Sequence, residues 1–177
     1  MQRTSFADFH CSLARTLNVV GEWWTPLVLA RIAVGLTRFD DIQRDLGVSR
    51  KVLTERLDTL VEHDLLERRP YQERPVRHDY VLTEKGADLV PALMALMAWG
   101  DRWANDEDGT PLRLHHRTCG HDADPVVTCS HCNAPMGMRD TLARPGPGAR
   151  IAPGTNVVAE RLRRRAAGSL PDSGVTR

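Results

Sequence analysis

The stretch Ser49–His63, SRKVLTERLDTLVEH, constrains the fold more than any other part of the chain. Its apolar residues Leu53, Leu57, Leu60 and Val61 recur at spacings of four, three and one, which puts them on one face of an α-helix. Ser49 stands where an N-cap hydroxyl accepts from an orphan N–H of the first turn. Val52 sits at the third position, so no capping box supports the cap. Arg50, Lys51 and Thr54 lie off the apolar face in the first half, while Asp58, Glu62 and Asp64 gather at the far end. That order opposes the helix macrodipole. It fits an N-terminal end that meets an external polyanion, and a solvated surface helix fits it too. Residues 38–46 read as a short helix with Phe39, Ile42 and Leu46 inward, ended by Gly47. Helix, Gly-containing turn and amphipathic helix form the helix-turn-helix pattern.

The flanks extend it. Residues 4–20 read as a helix, with Phe6, Phe9, Leu13, Leu17 and Val20 on one face and Ala7, Cys11 and Ala14 on a small-residue face. Thr25-Pro26 opens a second helix through Leu27, Val28, Leu29 and Ile32, which stops at Gly35. Trp23 and Trp24 read as core or interface anchors. After the central helix come a strand at Leu65–Arg69, a polar tip at Tyr71–Arg77 broken by Pro70 and Pro75, and a returning strand at His78–Leu82. Thr83 caps a last helix that runs to about Ala104, with Leu89, Val90, Leu93, Leu96, Met97, Trp99 and Trp103 in its apolar stripe. That stripe is too wide for one small hairpin to cover, so a second copy is the expected cover. Pro91 is expected to kink this helix. The fold class is mainly α with a small β-hairpin: a dimeric winged helix-turn-helix.

The chain has 177 residues and net charge +1, so nothing global marks it for nucleic acid; charge must act locally. Residues 49–56 carry Arg50, Lys51 and Arg56 against Glu55, a local +2. Residues 68–77 carry four arginines against Glu73, a local +3. No apolar run approaches ~18 residues, and MQRTSFADFHC has no continuous apolar region of a signal peptide. A soluble, cytoplasmic protein is expected, with no membrane partner, its four cysteines serving as thiols, metal ligands or redox sensors rather than disulfides.

Residues 11–104 resemble the HxlR-type family of bacterial transcription regulators, which are MarR-like. The matching stretches are Cys11, GEWWTPLVL, GLTRFDDIQRDL-GVSRKVLTERLDTL, the LERRPY wing strand, RHDYVLTEKGADL and the closing AWG. The resemblance implies a homodimer on a palindromic double-stranded DNA operator. The helix at 49–63 enters the major groove, the 66–82 wing reaches the minor groove, and the first and the 84–104 helices pair the subunits. Asp64 departs from the Gly common in the family; a left-handed Asp is tolerated there at modest cost. Arg50, Lys51 and Thr54 are then placed toward base edges, Arg38 and Arg56 toward phosphate, and Arg74 and Arg77 at the wing tip, with Ser49 at the helix start completing the DNA-binding set.

Three parts are expected: 1–106 for DNA binding and dimerisation, 107–142 as a zinc-ribbon-like β appendage, and 143–177 as a mostly disordered Arg/Gly/Pro-rich tail in which VVAERLRRR forms at most a transient basic helix. In the appendage His116-x-x-Cys119-Gly and Cys129-x-x-Cys132-Asn are alike: ligand, two spacers, Cys, then a residue that tolerates positive φ. Two such knuckles suit one structural zinc held by three thiolates and an imidazole, beneath strands from Leu112, Leu114, Val126 and Val127. His115, His121 and His131 compete for the fourth position, and a loose tail with reduced thiols or a Cys129–Cys132 disulfide also fits. Cys11 reads equally as a packed small residue and as a redox-sensing thiol of the kind the resemblance implies, with His10 and Arg15 as its neighbouring cations. A regulator, and not an enzyme, is expected; the alternative is a metal-dependent enzyme or a metal or thiol sensor centred on the His116, Cys119, Cys129 and Cys132 cluster.

Overall fold

The computed structural model of the chain describes residues 5–104 and 108–167. They divide into two compact units, residues 19–104 with 108–126 and residues 5–18 with 127–167. No helix among the described residues is long and apolar enough to cross a membrane.

The larger unit is built on α2 (Trp24–Ala33), α3 (Phe39–Leu46) and α4 (Arg50–Glu62), after the end of α1 (Ser12–Val20). Then follow β1 (Leu66–Glu73), β2 (Val76–Leu82) and α5 (Glu84–Trp103). Val28, Leu29, Ile42, Leu53, Leu57, Leu60 and Leu66 are almost wholly buried in one core, so the apolar faces read from α2, α3 and α4 converge. Helix α2 starts two residues earlier than Thr25 as cap and Pro26 as first helical residue imply, with Trp23 at the N-cap position and Trp24 first. A turn from Thr25 N–H to the Glu22 carbonyl leads into it, and Thr25 is buried without acting as its cap. Pro26 still lies in the first turn, where a missing N–H costs nothing. The helix ends at Gly35, φ +100°, with Gly35 N–H on the Ile32 carbonyl and Leu36 N–H on the Arg31 carbonyl, the paired bonds of a Schellman cap.

Helix α4 follows its sequence signals closely. Ser49 Oγ accepts from Val52 N–H at 3.3 Å. The C-terminus closes with the same paired bonds, Asp64 N–H to Val61 O and Leu65 N–H to Leu60 O, and Asp64 takes the left-handed conformation at φ +57°. The wing is longer than expected. The strands pair antiparallel from Leu66↔Leu82 to Glu73↔Val76, leaving only Arg74-Pro75 as the tip. Pro70 interrupts neither strand, because both strands of a two-stranded hairpin are edges and the register shifts between Pro70 and Gln72. Thr37 and Arg38 join the wing base through Tyr80 N–H to Thr37 O and an Arg38↔Asp79 bridge.

Thr83 caps α5, its hydroxyl accepting from Gly86 N–H at 3.1 Å and donating to the Asp64 carbonyl at 2.7 Å. The helix runs on without a break through Pro91. Of its residues only Gly86 is buried, while Leu96, Trp99 and Trp103 are each more than 60% exposed. Leu89 and Leu93 at the start of the stripe pack against the core, so it is Leu96, Trp99 and Trp103 toward its end that stay uncovered. Beyond α5, the expected boundary at 106/107 lies outside the described residues. β3 (His115–His116) and β4 (His121–Asp122) form a minimal hairpin. The ribbon strands expected from Leu112, Leu114, Val126 and Val127 do not form; the two short strands carry histidines instead, and Val126 and Val127 are exposed.

In the smaller unit the first helix begins at Ser12, not at residue 4 (residues 1–4 lie outside the described residues). Local bonds hold 5–11 in turns instead: Phe9 N–H to Phe6 O, Ala7 N–H to Ser5 Oγ, and Phe6 N–H to Asn18 Oδ1. His10 N–H bonds the Pro153 carbonyl, and a Cβ on Gly154 would fall 2.5 Å from Phe9 Cδ2. The tail expected to be mostly disordered thus packs on the N-terminal segment, and α6 (Asn156–Ala166) buries Ala159. The rest of that tail, residues 168–177, lies outside the described residues.

Candidate nucleic-acid interface

Ser49, Arg50, Lys51 and Thr54 are all exposed on the first turns of α4 and its cap, and Arg38, Arg74 and Arg77 are exposed nearby on the same unit. Arg50 spreads over the face of Phe39, 4.7 Å from the ring centre, and donates to Asp40 Oδ1 at 3.2 Å and Gln43 Oε1 at 3.3 Å. The wing reaches the same carboxylate: Arg77 Nη1 lies 3.9 Å from Asp40 Oδ2. Asp40, on the first turn of α3, therefore joins the arginine that opens the recognition helix to the arginine of the wing. Arg38 lies over Tyr71 at 4.6 Å and pairs with Asp79 at 3.7 Å, whose carboxylate also accepts from Thr37 Oγ1 at 2.8 Å. A guanidinium held flat on an aromatic ring and beside a carboxylate is oriented before any ligand arrives.

Arg56 departs from the expectation of a phosphate contact. It sits three residues after Leu53 and four before Leu60, at the inner edge of the helix. Its side chain is only 14% exposed and lies 3.6 Å from Glu22 and 3.6 Å from Glu55. Two wing cations are engaged as well, Arg68 with Asp58 of α4 and Arg69 with Glu67. The local charge counted along the chain is partly neutralised in place. Arg50 and Arg77 stay exposed while sharing Asp40, and Lys51 on α4 and Arg74 at the wing tip are exposed too. Sequence reasoning passed over Asp40, Tyr71 and Asp79, which orient the cations. Asp40 carries no signal beyond being an acid in a first helical turn.

The two knuckles keep the local form read for them. In the larger unit Gly120, φ +70°, donates its N–H to the His116 carbonyl, and Ala123 N–H bonds Leu114 O. In the smaller unit Asn133, φ +58°, donates to the Cys129 carbonyl, and Met136 N–H bonds Val127 O. The second turn reproduces the first, bond for bond, thirteen positions along the chain. His116 Nδ1 and Cys119 Sγ are 3.3 Å apart. Backbone N–H bonds from Cys132 and then His131, followed by the Cys132 thiol, hold the Cys129 thiol below its ordinary pKa. No group of three or more His, Cys, Asp or Glu positioned for a metal ion occurs among the described residues. His115 pairs with Asp122 at 3.1 Å, and His121 Nδ1 lies 2.7 Å from the Cys119 carbonyl. Cys11 is a half-buried free thiol just before α1 and not on a helix face, its carbonyl accepting from Arg15 N–H. His10 and Arg15 turn to the Gly148 carbonyl and to Ser12 instead.

Residues 19–108 match the model of the HxlR-like helix-turn-helix. The chain is 44% identical over 137 residues to Rv3095 of Mycobacterium tuberculosis, described as an uncharacterised HTH-type transcriptional regulator. The match covers 77% of this chain and 87% of that one. Among solved structures it is similar to PA1607, described as a candidate transcription factor, with TM-score 0.70 and 33% identity over 79% of this chain and 98% of the other. PA1374 of Pseudomonas aeruginosa, described likewise, has TM-score 0.55 and 36% identity over 88% and 99%.

Proposed function

The chain belongs to the HxlR-like helix-turn-helix family of transcriptional regulators, and on that premise we propose that it is a homodimeric repressor of a palindromic operator, acting in the cytoplasm. The observation that carries the reading is the exposed cationic start of α4 beside the wing: Arg50 and Lys51 at the helix end that meets base edges, with Arg77 reaching the carboxylate that holds Arg50 and Arg74 exposed at the wing tip. The uncovered Leu96, Trp99 and Trp103 of α5 support a second copy as partner. Two-fold symmetry then sets the half-sites about one helical turn, ~34 Å, apart.

The test is a salt-dependent mobility shift on the region upstream of the chain's own coding sequence. R50A/K51A loses about tenfold or more in operator affinity, since each good base contact is worth about 1–3 kcal/mol. R77A weakens binding to all duplexes and lowers the salt slope by about 1. Unchanged binding by R50A/K51A contradicts the groove assignment.

A structural zinc held by His116, Cys119, Cys129 and Cys132 is proposed as well, supported by the repeated knuckle turn, a form that lets two donors bite one ion. Elemental analysis of untagged protein gives about one zinc per chain if this holds; well under one rejects it. Modulation through Cys11 is the third part of the proposal. It rests on a free thiol of that position, and C11S then abolishes any response of DNA binding to a thiol oxidant.

A further inference from the structure

Asp40 is out of place on a surface that binds a polyanion. Helix α3 has two acids in its first turn, Asp40 and Asp41, and both suit the macrodipole there. Their partners differ. Asp41 pairs with Arg44 of its own helix at 3.3 Å. Asp40 reaches out of its helix and takes one guanidinium on each oxygen, Arg50 from α4 and Arg77 from the wing. All three side chains are half or more exposed, so the cluster is open to a solute of the same charge. A phosphodiester offers the same chemistry as this carboxylate: one negative charge on two equivalent oxygens, a match for paired guanidinium groups.

We propose that Arg50 and Arg77 form one site for a duplex backbone phosphate and that Asp40 is its built-in competitor, holding down sequence-independent binding; this rests on the DNA-binding reading above. On an arbitrary duplex Arg50 finds no matching base edge, and its best partner is phosphate. Asp40 already fills that role, so the gain from exchanging one anion for another is small. On the operator Arg50 moves to a base edge, an interaction the carboxylate cannot supply, and Arg77 keeps Asp40 on one side of its guanidinium while its remaining N–H groups meet phosphate. The carboxylate therefore taxes off-site binding more than operator binding, and widens the ratio between them.

The experiment compares wild type, D40N, D41N and D40N/R77A as full-length protein, on a random-sequence duplex and on a duplex of the upstream region, across a salt series. D41N removes an acid from the same helical turn and shares any loss of macrodipole stabilisation. D40N is expected to bind the random duplex about fivefold or more tightly at 0.1 M salt, with a salt slope steeper by about 0.9 per chain. Its operator affinity rises less, so the specificity ratio falls. D41N behaves as wild type, and D40N/R77A loses the gain. D40N binding of the random duplex that is equal to or weaker than wild type overturns the proposal, as does a gain shared by D41N. Wild type that binds neither duplex fails the DNA-binding reading and this proposal with it.

Discussion

Replacing Gly86 by Ala tests how the end of the recognition helix is locked to α5. Helix propensity alone says that Gly→Ala in a helix gains about 1 kcal/mol. The surroundings reverse the sign. A Cβ on Gly86 falls 2.1 Å from the Leu65 carbonyl oxygen and 3.1 Å from Leu82 Cδ2. Ordinary contact begins near 3.4 Å, so the Leu65 peptide or α5 must move by more than an ångström. Neither moves freely. The Leu65 carbonyl accepts from Thr83 N–H at 3.2 Å, and Leu65 N–H closes the C-terminus of α4 on Leu60 O. Over-packing of this kind costs about 1–3 kcal/mol, and loss of the Thr83 bond adds about 0.5–1.5 kcal/mol. Set against the propensity gain, G86A loses about 0.5–3.5 kcal/mol. The assay is urea unfolding followed by circular dichroism at matched protein concentration, because association of copies shifts apparent stability. The midpoint should fall by about 1 M for a slope of 1–3 kcal/mol/M. An unchanged or higher midpoint would refute the close approach of α5 to the α4–β1 junction.

Asp64 gives the opposite sign. Its left-handed conformation strains any residue with a Cβ, so D64G should gain about 0.5 kcal/mol after the entropy cost of glycine, a rise of about 1–2 °C in thermal midpoint; a fall would mean that the side chain contributes a bond of its own. W99E places a charge in the exposed stripe of α5, and light scattering should then report monomer where wild type is dimer; an unaltered dimer moves the interface elsewhere. The Cys129 thiolate persists to lower pH than an ordinary thiol. With any bound zinc removed by a chelator, its alkylation should therefore reach half-maximal rate at lower pH in the native chain than in denaturant. C132A, which keeps the backbone donors, should raise that midpoint in part; coincident native and denatured profiles would dismiss the turn as the cause.

What could be read from the sequence was what neighbours in the chain decide. Ser49, Thr83, Gly35, Gly47 and the left-handed Asp64 are caps, and each acts within a few residues of itself. The core faces of α3 and α4 followed from periodicity. The features that escaped depend on distant partners. Arg56 lies at the margin of its helix's apolar face, and its pairing with the distant Glu22 is a contact that helical spacing does not contain. The wing continues past Pro70 because its other side is unpaired, which a list of turn formers does not contain. Phe6 and Phe9 have helical spacing, yet their backbone bonds go to Asn18 and into a turn. Asp40 could be read only as a helix-start acid until the wing was folded beside it.

The account rests on two copies presenting α4 and the wing to one duplex. Hydroxyl-radical footprinting of the upstream region, with wild type and R50A/K51A side by side, tests this most directly. The prediction is two protected patches related by symmetry and centred about one turn, ~34 Å, apart, lost together in the double variant. A single patch, or protection that survives the loss of Arg50 and Lys51, contradicts it.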